Sequence, residues 1–480
     1  MPMQLLQKIR EALVLLLLAL LPFHALLVTV GTMLIAGPGH APLAWLALWK
    51  EGLLAVILLI AVIEYVSKLK AQFSKLHIDS LDLLILALLL LSLTTTALGH
   101  NDWKLYLFGF KYDFIPLVSF FLLRRTEWSE AFAVWVQRVV VGAGSIVALY
   151  GFVALFLPMG FFQALGYSDL HSLYLPGGPL APFQQIGGSF LRRMQGAFSG
   201  PNQLGIWMLI PFGIILSRLL SSGWQQRKRK DFVLHALAFI LVALSILLSF
   251  SRAACIAAFA VTLLAFWKML PRQQAKKSIS WIIGVGVALG IMLIVITPSV
   301  ALRLASSRDH LIKPMQALQT MAQHPLGLGL GSAGPASNRV SDACVFLEQG
   351  ADASWAKSHP DLCVFIDSVQ VQPPLPIGAM LMVGEPYGRV CHCAFLPENW
   401  YLQIGVEMGW MGLILYVLLV MLIVRSLLAG RENYAALVFI AVSIAALFLH
   451  AWEDAAVAYT VWMVVAVAFS IQQNHMRFRV

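Results

Sequence analysis

The stretch ALVLLLLALLPFHALLVTVGTMLIA, residues 12–36, contains no Asp, Glu, Lys or Arg. About 20 apolar residues suffice for an α-helix to cross the hydrocarbon core of a bilayer, so this stretch predicts a membrane-spanning helix. It follows Lys8 and Arg10, as the apolar part of a signal peptide would. It is too long for such a peptide and has no clear A-x-A-like cleavage site, so we predict a retained first span.

Apolar stretches of similar length recur along the whole chain. Of its 480 residues, 60% are hydrophobic and 12% are charged, a composition that excludes an ordinary soluble globular protein. We predict an all-α polytopic membrane protein with about 12 transmembrane helices. The predicted spans are 12–36, 52–66, 81–99, 105–123, 131–158, 203–217, 232–249, 253–268, 279–297, 400–424, 433–449 and 455–472.

The basic residues predict the orientation of these spans. If the N-terminus is cytoplasmic, the basic clusters between spans fall on the inner side, as the positive-inside rule requires, and both termini lie in the cytoplasm. Orientation accounts for the net charge of +10, and we predict no nucleic-acid partner. The inner basic residues are Lys68, Lys70, Lys75, Arg124, Arg125, the RKRK run at 227–230, Arg272, Lys276, Lys277, Arg425, Arg431, Arg477 and Arg479.

Two outer segments are long enough to be structured. The chain divides into 1–297 with nine spans, 298–399 as a large outer loop, and 400–480 with the last three spans. A second outer segment, 159–202, joins the fifth and sixth spans. A loop as long as 298–399 is uncommon without a function, so we expect it to fold over the mouth of the bundle and to carry short helices.

Four of the five cysteines lie in the large outer loop, whereas Cys255 lies in a span. An even set of cysteines confined to an outer loop favours disulfides in an oxidising compartment. Cys391 and Cys393 are too close to bond to each other without strain, so we expect each to pair with Cys344 or Cys363. The alternative is four unpaired thiols.

Three arginines lie on the side where positive charge is otherwise avoided. In LLSFSRAACIA (247–257), Arg252 follows the seventh span, and Arg192 and Arg193 precede the sixth. An arginine at the centre of a span costs about 2.5–3.5 kcal/mol, and less at its rim, so we expect a compensating carboxylate or anionic ligand. The planar guanidinium suits phosphate. The alternative is that these side chains snorkel to lipid phosphates.

The sequence PENWYLQIGVEMGWMG (397–412) marks the return of the large loop to the membrane. Glu398 begins a polar and aromatic run with Asn399 and Tyr401. It is a candidate general base because partial desolvation raises the pKa of a carboxyl group. His392, close to it in sequence, is an alternative proton acceptor. The simpler interpretation is a helix N-terminus with an acid near its positive end and aromatic residues at the membrane interface.

Four weaker patterns remain. The glycine-rich PLGLGLGS (325–332) lacks the lysine of a P-loop, so we expect it to provide backbone flexibility or anion-binding amides. The outer-loop histidines lack metal-ligand spacing, and we predict no metal and no cofactor. Lys111 and Asp113 lie within the fourth span and are expected to pair with each other. Glu407 lies one or two turns inside the tenth span.

Four segments together resemble the O-antigen ligase and O-antigen polymerase superfamily of membrane glycosyltransferases. RMQGAFSGPNQLG (193–205) is similar to the family's R-x-x-G-x-F-x-x-P-N segment, and SRAA (251–254) to its S-R-[GA] turn. RDHLIKPMQALQTMAQHPLGLGLGS (308–332) resembles the stretch that opens its large periplasmic loop. ENWYLQIGVEMGWMG (398–412) resembles the [HE]-N-x-[YF]-L segment that closes the loop. The resemblance covers residues from about 190 to 425.

The resemblance implies a GT-C-like fold in a bacterial inner membrane, with a reaction on the periplasmic face. A glycan on undecaprenyl diphosphate would be transferred, with inversion, to the hydroxyl of a glycan or lipid acceptor, without a metal. Arg193 and Arg252 would hold the diphosphate and stabilise its charge as it departs, and a loop base would deprotonate the acceptor. The implied substrate-binding residues are Arg192, Asn202, Asn399 and Tyr401.

Glu398 departs from the family pattern, because many ligases have a histidine at this position. The base is therefore Glu398 or His392, or the reaction needs none. The resemblance also leaves three branches open. Ligases transfer to lipid A–core, polymerases extend the glycan, and a third branch glycosylates protein hydroxyls. A ligase-type protein is our leading prediction, and a polymerase is the first alternative.

The main alternative from another class is a secondary transporter or a flippase for lipid-linked glycans, and a structural membrane protein is the third. Twelve spans with both termini inside suit a transporter equally well. Against it, the sequence shows no half-to-half repeat and no matching pair of interrupted helices. The outer arginines also lie at span ends rather than deep in a central cavity.

Overall fold

A computed structural model describes most of the chain. The described residues are 2–72, 78–99, 102–171, 175, 178–186, 191–221, 229–296, 298, 304–347, 350–366, 369–373, 390–430 and 432–477. The predicted inner basic residues Lys75, Arg227, Lys228, Arg431 and Arg479 lie outside them.

The described residues are mostly helical, and we number their α-helices in chain order. The first nine are α1 Pro2–Leu20, α2 His24–Ala36, α3 Ala44–Ala47, α4 Trp49–Gln72, α5 Ser80–Leu98, α6 Trp103–Gly109, α7 Ile115–Leu123, α8 Glu130–Ala154 and α9 Met159–Ala164. The others are α10 Pro201–Leu220, α11 Arg229–Leu248, α12 Arg252–Met269, α13 Arg272–Ile296, α14 Leu304–Gln323, α15 Gly334–Ser337, α16 Trp400–Ala429, α17 Asn433–Ala445 and α18 Ala455–Arg477.

Eleven helical segments of the described chain are long and apolar enough to cross a membrane, as expected of a polytopic membrane protein. They correspond to eleven of the predicted spans. The exception is the predicted span 433–449, where α17 has only 13 residues. At roughly 20 Å this helix is too short to cross a hydrocarbon core of about 30 Å by itself. Most of its residues are buried, so it packs inside the bundle.

Several predicted spans are interrupted. The first contains a 3₁₀ turn, Leu21–Phe23, between α1 and α2, and the fourth and the tenth are interrupted as well. The fourth predicted span is α6 and α7, joined by a π-helical turn at Phe110–Phe114. Pro116 follows this turn and cannot donate a backbone hydrogen bond to it. The tenth predicted span is α16, which is broken at Gly409 (φ 68°, ψ −172°). The latter two interruptions would correspond only in two halves of six spans, and α17 is too short to complete the second half, so the expectation of no matching pair stays a prediction.

The centre of the bundle is formed by α10, α17 and α18. Helix α10 lies against α11, α12 and α17, and most of α10 and α18 is buried. Both helices are apolar around most of their circumference, as expected of helices surrounded by protein. Trp207 of α10 and Trp452, which precedes α18, are buried in this core.

The large outer loop contains a small β-sheet that the sequence analysis did not predict. Strand β3 (Cys344–Leu347) pairs in parallel with β4 (Cys363–Ile366), and β4 pairs antiparallel with β5 (Val369–Gln372). The loop also contains α14, which at 20 residues is longer than the short helices that we expected, and which lies against α16. The prediction of short helices alone was therefore incomplete.

Two disulfides fasten the sheet to the last part of the loop. Cys344 of β3 bonds Cys393, and Cys363 of β4 bonds Cys391. This confirms the prediction that Cys391 and Cys393 each pair with one of the other two loop cysteines. Cys255 of α12 is not in a disulfide.

The shorter outer segment, 159–202, contains α9 and a two-stranded ribbon. Strand β1 (Gln184–Gln185) pairs antiparallel with β2 (Arg192–Arg193). The ribbon fixes the backbone of both arginines just before α10 begins.

A cluster of ion pairs lies at the end of the bundle that the charge pattern predicts to be cytoplasmic. Arg124, which ends α7, donates to Asp79 at 2.8 Å and also to Asp82. Asp79 and Asp82 form a capping box at the start of α5, so the guanidinium joins two helix termini. Burial opposes ionisation of Asp79, but the hydrogen bonds from Arg124 and from the Asp82 amide outweigh it and lower the pKa of Asp79. We call Arg124, Asp79 and Asp82 the inner cluster.

Candidate functional site

The segments singled out in the sequence contact one another, beginning with the first two. The Arg193 Nε donates to the Ser249 carbonyl at 3.0 Å, and the Met194 amide donates to the Leu248 carbonyl at 2.8 Å. One turn further, Arg252 donates to the Ser307 hydroxyl at 2.6 Å. These contacts connect residues 193–205 to the S-R turn, and the S-R turn to α14.

Helix α14 and the glycine-rich stretch connect in turn to the start of α16. The Lys313 ammonium of α14 lies 3.1 Å from the Glu398 carboxylate. The amides of Leu328 and Gly329 donate to the carbonyls of Val406 and Glu407, both at 2.9 Å. All four segments therefore meet at one end of the bundle, which we call the outer end after the predicted orientation.

Arg193 is buried and bonded by each nitrogen of its guanidinium group. Besides the Ser249 carbonyl, it donates to the side-chain oxygens of Gln184 and Asn202, at 3.0 and 2.8 Å. The predicted pair Arg193 and Asn202 is thus in direct contact. In this geometry Arg193 ties β1, β2, α10 and the end of α11 together.

Arg192 has different neighbours, although it is adjacent in sequence. Its guanidinium donates to the Leu157 carbonyl at 2.7 Å and lies 4.2 Å from the centre of the Phe183 ring. These contacts attach it to the end of α8 and to the loop before β1. The two neighbouring arginines therefore face different parts of the outer end.

Arg252 is the first residue of α12 and is half-buried. Phe250, two residues earlier, has a positive φ of 51°, an unfavourable conformation for an aromatic residue. This turn directs the chain from α11 into α12 and presents Arg252 at the positive N-terminal end of a helix of 18 residues. A cationic side chain and a helix N-terminus together attract an anion such as phosphate.

Glu398 also has a positive φ, of 55°. Among the described residues, Glu398 and Phe250 are the non-glycine residues with positive φ. Such strain concentrates at functional sites, because the surrounding structure must enforce it. The Glu398 side chain is about one-fifth exposed and paired with Lys313, so the carboxylate is oriented and remains accessible.

His450, in the turn after α17, fixes the backbone at Glu398 through a hydrogen bond. The Glu398 amide donates to His450 Nε2 at 3.2 Å, so this nitrogen is an acceptor. His450 Nδ1 therefore carries the proton and donates to the Gln403 side-chain oxygen at 2.6 Å. Burial lowers the pKa of His450 to about 4, against the opposing effect of Glu398, which agrees with a neutral ring.

The other predicted site residues have structural partners. Asn399 caps α16 through the Leu402 amide and donates to the Leu447 carbonyl. The Tyr401 hydroxyl donates to the Ser443 carbonyl at 3.0 Å. His392 is exposed, and its backbone exchanges hydrogen bonds with Asp342. His392 is thus attached to the disulfide-linked part of the loop, whereas Glu398 is attached to α14 and His450.

The glycine-rich stretch wraps around the break in α16. Gly327, Gly329 and Gly331 all have φ near 90°, and a Cβ on Gly327 would lie 2.4 Å from the Glu407 carbonyl. The amides of Gly331 and Ala333 donate to the Glu407 carboxyl at 2.9 and 3.4 Å. We expected backbone flexibility or anion-binding amides here, and two of these amides bind a carboxyl group of the protein itself.

Asp113 does not pair with Lys111, so that prediction was wrong. Lys111 lies 3.0 Å from the carboxylate of Glu51 on α4. Asp113 is buried in the π-helical turn and lies within hydrogen-bonding reach of Glu407 and Glu453. The two side chains diverge because residues i and i+2 of a helical turn lie on different faces. We call Asp113, Glu407 and Glu453 the acid cluster.

A cavity of about 240 Å³ adjoins the acid cluster. Glu453 lines it, together with the cationic side chains of Lys50, Lys111 and Arg339. Residues of α2, α4, α18, the π-turn and the turn between α1 and α2 are among those that form its walls. It is thus a polar cavity between the ends of spans that are distant in sequence.

The sequence analysis missed the acid cluster, Lys313 and His450. Asp113 and Glu407 were recognisable as acids inside predicted spans, which are rare and functional by default. Nothing in their spacing indicated that they meet each other and Glu453, because this depends on which helices are neighbours. A scan against protein-family models finds no match to this chain, and a search of curated proteins finds none either.

Proposed function

We propose that the protein is a membrane glycosyltransferase that transfers a glycan from undecaprenyl diphosphate to an acceptor hydroxyl at the outer end of the bundle. The proposed location is the periplasmic face of a bacterial inner membrane, with both termini cytoplasmic. We favour a ligase-type enzyme, which uses lipid A–core or another glycan as acceptor, over a polymerase. The family is the O-antigen ligase and polymerase superfamily, proposed on the four sequence segments.

One observation carries this proposal. The four segments are spread over more than 200 residues between Arg193 and Gly412, and polar contacts join them or the residues next to them, Leu248, Ser249 and Ser307. Arg193 bonds the end of α11, Arg252 bonds α14, and α14 pairs with Glu398. This proximity at one end of the bundle supports a common site.

Arg252 is the proposed ligand of the diphosphate. It lies at the N-terminus of α12, where the helix dipole adds to the charge of the guanidinium. Positive charge at this point stabilises the diphosphate as it leaves, and such electrostatic stabilisation is a large term in catalysis. Arg193 donates to Ser249, Gln184 and Asn202, and we propose that it supports the structure of the site. It would bind the diphosphate only by replacing one of these hydrogen bonds.

Glu398 is the proposed base. It contacts α14 through Lys313, six residues after the contact between Arg252 and Ser307. Six residues correspond to roughly 9 Å along a helix, so the two groups contact neighbouring turns of α14. His392 remains the alternative base, since it is exposed on the neighbouring part of the loop.

The test follows the release of free undecaprenyl diphosphate by purified protein supplied with lipid-linked glycan and a mixture of acceptors. Arg252→Ala is expected to reduce release by about 10²- to 10³-fold, as removal of one donor to a developing charge does. Arg272→Ala is the matched control, because Arg272 likewise begins a helix, the next one along the chain, but is exposed and belongs to the predicted inner side. Equal activities of the two variants would contradict the role of Arg252.

A second candidate is a transporter or flippase for lipid-linked glycans. The observation that favours it is the pair of interrupted spans, at Phe110–Phe114 and at Gly409, each next to a buried acid. Broken helices that carry polar groups at membrane depth are typical of transporters. Glycan that crosses a vesicle membrane while no diphosphate is released would favour this candidate over the transferase.

A further inference from the structure

The acid cluster has more acceptor atoms than donors. Both carboxyl oxygens of Asp113, Glu407 Oε2 and Glu453 Oε2 are buried and receive no hydrogen bond from the described part of the chain. The other oxygens are satisfied, since Glu407 accepts from Gly331 and Glu453 accepts from Gln403 at 2.8 Å. Asp113 is 6% exposed and Glu407 is fully buried. Unpartnered carboxylates at such positions are costly.

The cations around the cluster have other partners. Lys50 and Lys111 both pair with Glu51, at 3.3 and 3.0 Å, and Arg339 donates to the Tyr112 hydroxyl at 3.0 Å. The remaining titratable groups that face the cluster or its cavity are His24, Tyr416, His450, Asp454 and Tyr459. The cluster is therefore not neutralised by a lysine or an arginine in the contacts of the described residues.

Protons account for the four unpartnered oxygens. Asp113 lies between the two glutamates, so one O–H from Asp113 to Glu407 and one O–H from Glu453 to Asp113 satisfy all four atoms. We propose that Asp113, Glu407 and Glu453 form a proton-binding site that holds two protons and exchanges them with the adjoining cavity through Glu453. Loading takes two protons from solvent hydronium ions, each of which becomes a water molecule, and forms two O–H bonds, so the charge of the cluster changes from −3 to −1.

The backbone around each of the three acids is interrupted, as is typical of a functional site. Asp113 lies in a π-helical turn, Glu407 lies two residues before the break at Gly409, and Glu453 lies in the turn before α18. Each acid is thus placed where a helix is interrupted, and such interruptions are frequent at functional sites of membrane proteins. Burial, and then the Asp113 carboxyl, raise the pKa of Glu453 well above its ordinary value, in agreement with a bound proton.

Infrared spectroscopy of the whole protein in lipid at pH 7 tests the proposal, because protonated carboxyl groups have a separate C=O stretching band. The double variant Asp113→Asn/Glu453→Gln needs no proton, since both amides donate N–H groups. It is expected to lose the band of the cluster entirely. Each single variant retains one O–H and is expected to lose half as much. Glu130→Gln, an exposed acid at the start of α8, is expected to leave the band unchanged.

The outcomes that overturn the proposal are equally definite. An identical carboxyl band in the wild type and the double variant would show that the cluster holds no proton. If addition of Na⁺ or Mg²⁺ then stabilised only the wild type, the cluster would be a cation site instead. A cluster band that keeps its frequency after prolonged exposure to D₂O would refute exchange through the cavity. If Asp113→Asn does not fold, the number of protons in the cluster is tested from the carboxyl band of Glu407→Gln instead.

Discussion

The two ends of the bundle treat buried carboxyl groups in opposite ways. In the inner cluster, Asp79 and Asp82 meet the guanidinium of Arg124, and Arg125 also pairs with Asp82. In the acid cluster, Asp113, Glu407 and Glu453 meet each other. The inner cluster joins the start of α5 to the end of α7 and resembles a structural clamp. The outer acids contribute no such clamp.

This contrast separates a cluster that stabilises the fold, at the inner end, from one that destabilises it, at the outer end. Breaking a buried ion pair costs several kcal/mol, so a complete pair is retained for structure. A buried group of acids without a cation is destabilising in itself, and it persists where it has a task. The same outer end also carries the strained residues Phe250 and Glu398. Variants at the two ends should therefore differ in what they damage.

The largest effect on stability is expected from the inner cluster. Arg124→Ala leaves the buried Asp82 with Arg125 as its cationic partner, and loss of one partner of a buried pair costs about 3–5 kcal/mol. Thermal unfolding in detergent micelles measures the effect, with Arg272→Ala as an exposed control that should unfold like the wild type. An unchanged unfolding temperature for Arg124→Ala would mean that the inner cluster is not a clamp, and the comparison between the two ends would fail.

A smaller, pH-dependent effect is expected at the outer end. The folded protein keeps His450 neutral with a pKa of about 4, whereas an unfolded histidine titrates near 6.5. The contribution of His450 to stability is therefore complete above pH 6.5 and is lost as the pH falls to 4. At about 1.4 kcal/mol per unit, the loss reaches roughly 3 kcal/mol.

The variant that isolates this effect is His450→Gln, whose amide can accept from Glu398 and donate to Gln403 as the ring does. Its stability should decline less than that of the wild type between pH 6.5 and 4. Glu398 and Lys313 are the charged groups that face the ring. Lys313→Gln therefore tests whether the charge of Lys313 contributes to the same pH dependence. If His450→Gln and the wild type lost stability in parallel, the ring would not be the titrating group.

The smallest effect on stability is expected from two glycine substitutions in the large loop. Together they separate the cost of backbone strain from the cost of a steric clash. Gly327 and Gly350 have similar φ, 88° and 82°, so alanine at either position costs roughly 1–3 kcal/mol in strain. A Cβ on Gly327 also collides with the Glu407 carbonyl, whereas a Cβ on Gly350 meets nothing within 4 Å. Gly327→Ala should therefore lower the unfolding temperature more. Equal effects would show that the glycine-rich stretch does not brace the break in α16.

The features that the sequence predicted well are those with a local signal. Apolar stretches of sufficient length predicted the spans, because a helix in lipid must be apolar over its whole length. The pairing of Cys391 and Cys393 with more distant cysteines followed from steric exclusion. The twelfth helical segment, α17, was recognised but predicted too long, since apolar residues continue beyond Ala445 into a turn that is buried in protein.

The features that it missed depend on which helices are neighbours. Lys111 and Asp113 are two residues apart, yet one faces Glu51 and the other faces Glu407. The π-turn that separates them leaves no pattern in the residue sequence. The strands of the large loop are four residues each, too short for an alternating pattern to be distinctive.

The most direct test of the account uses wild-type protein in liposomes with lipid-linked glycan and an acceptor outside. We measure undecaprenyl diphosphate released and acceptor glycosylated in the same sample. The account predicts one carrier released for each acceptor glycosylated, and no release when the acceptor hydroxyl is omitted. Movement of intact lipid-linked glycan across the bilayer, with neither product formed, would contradict glycosyl transfer.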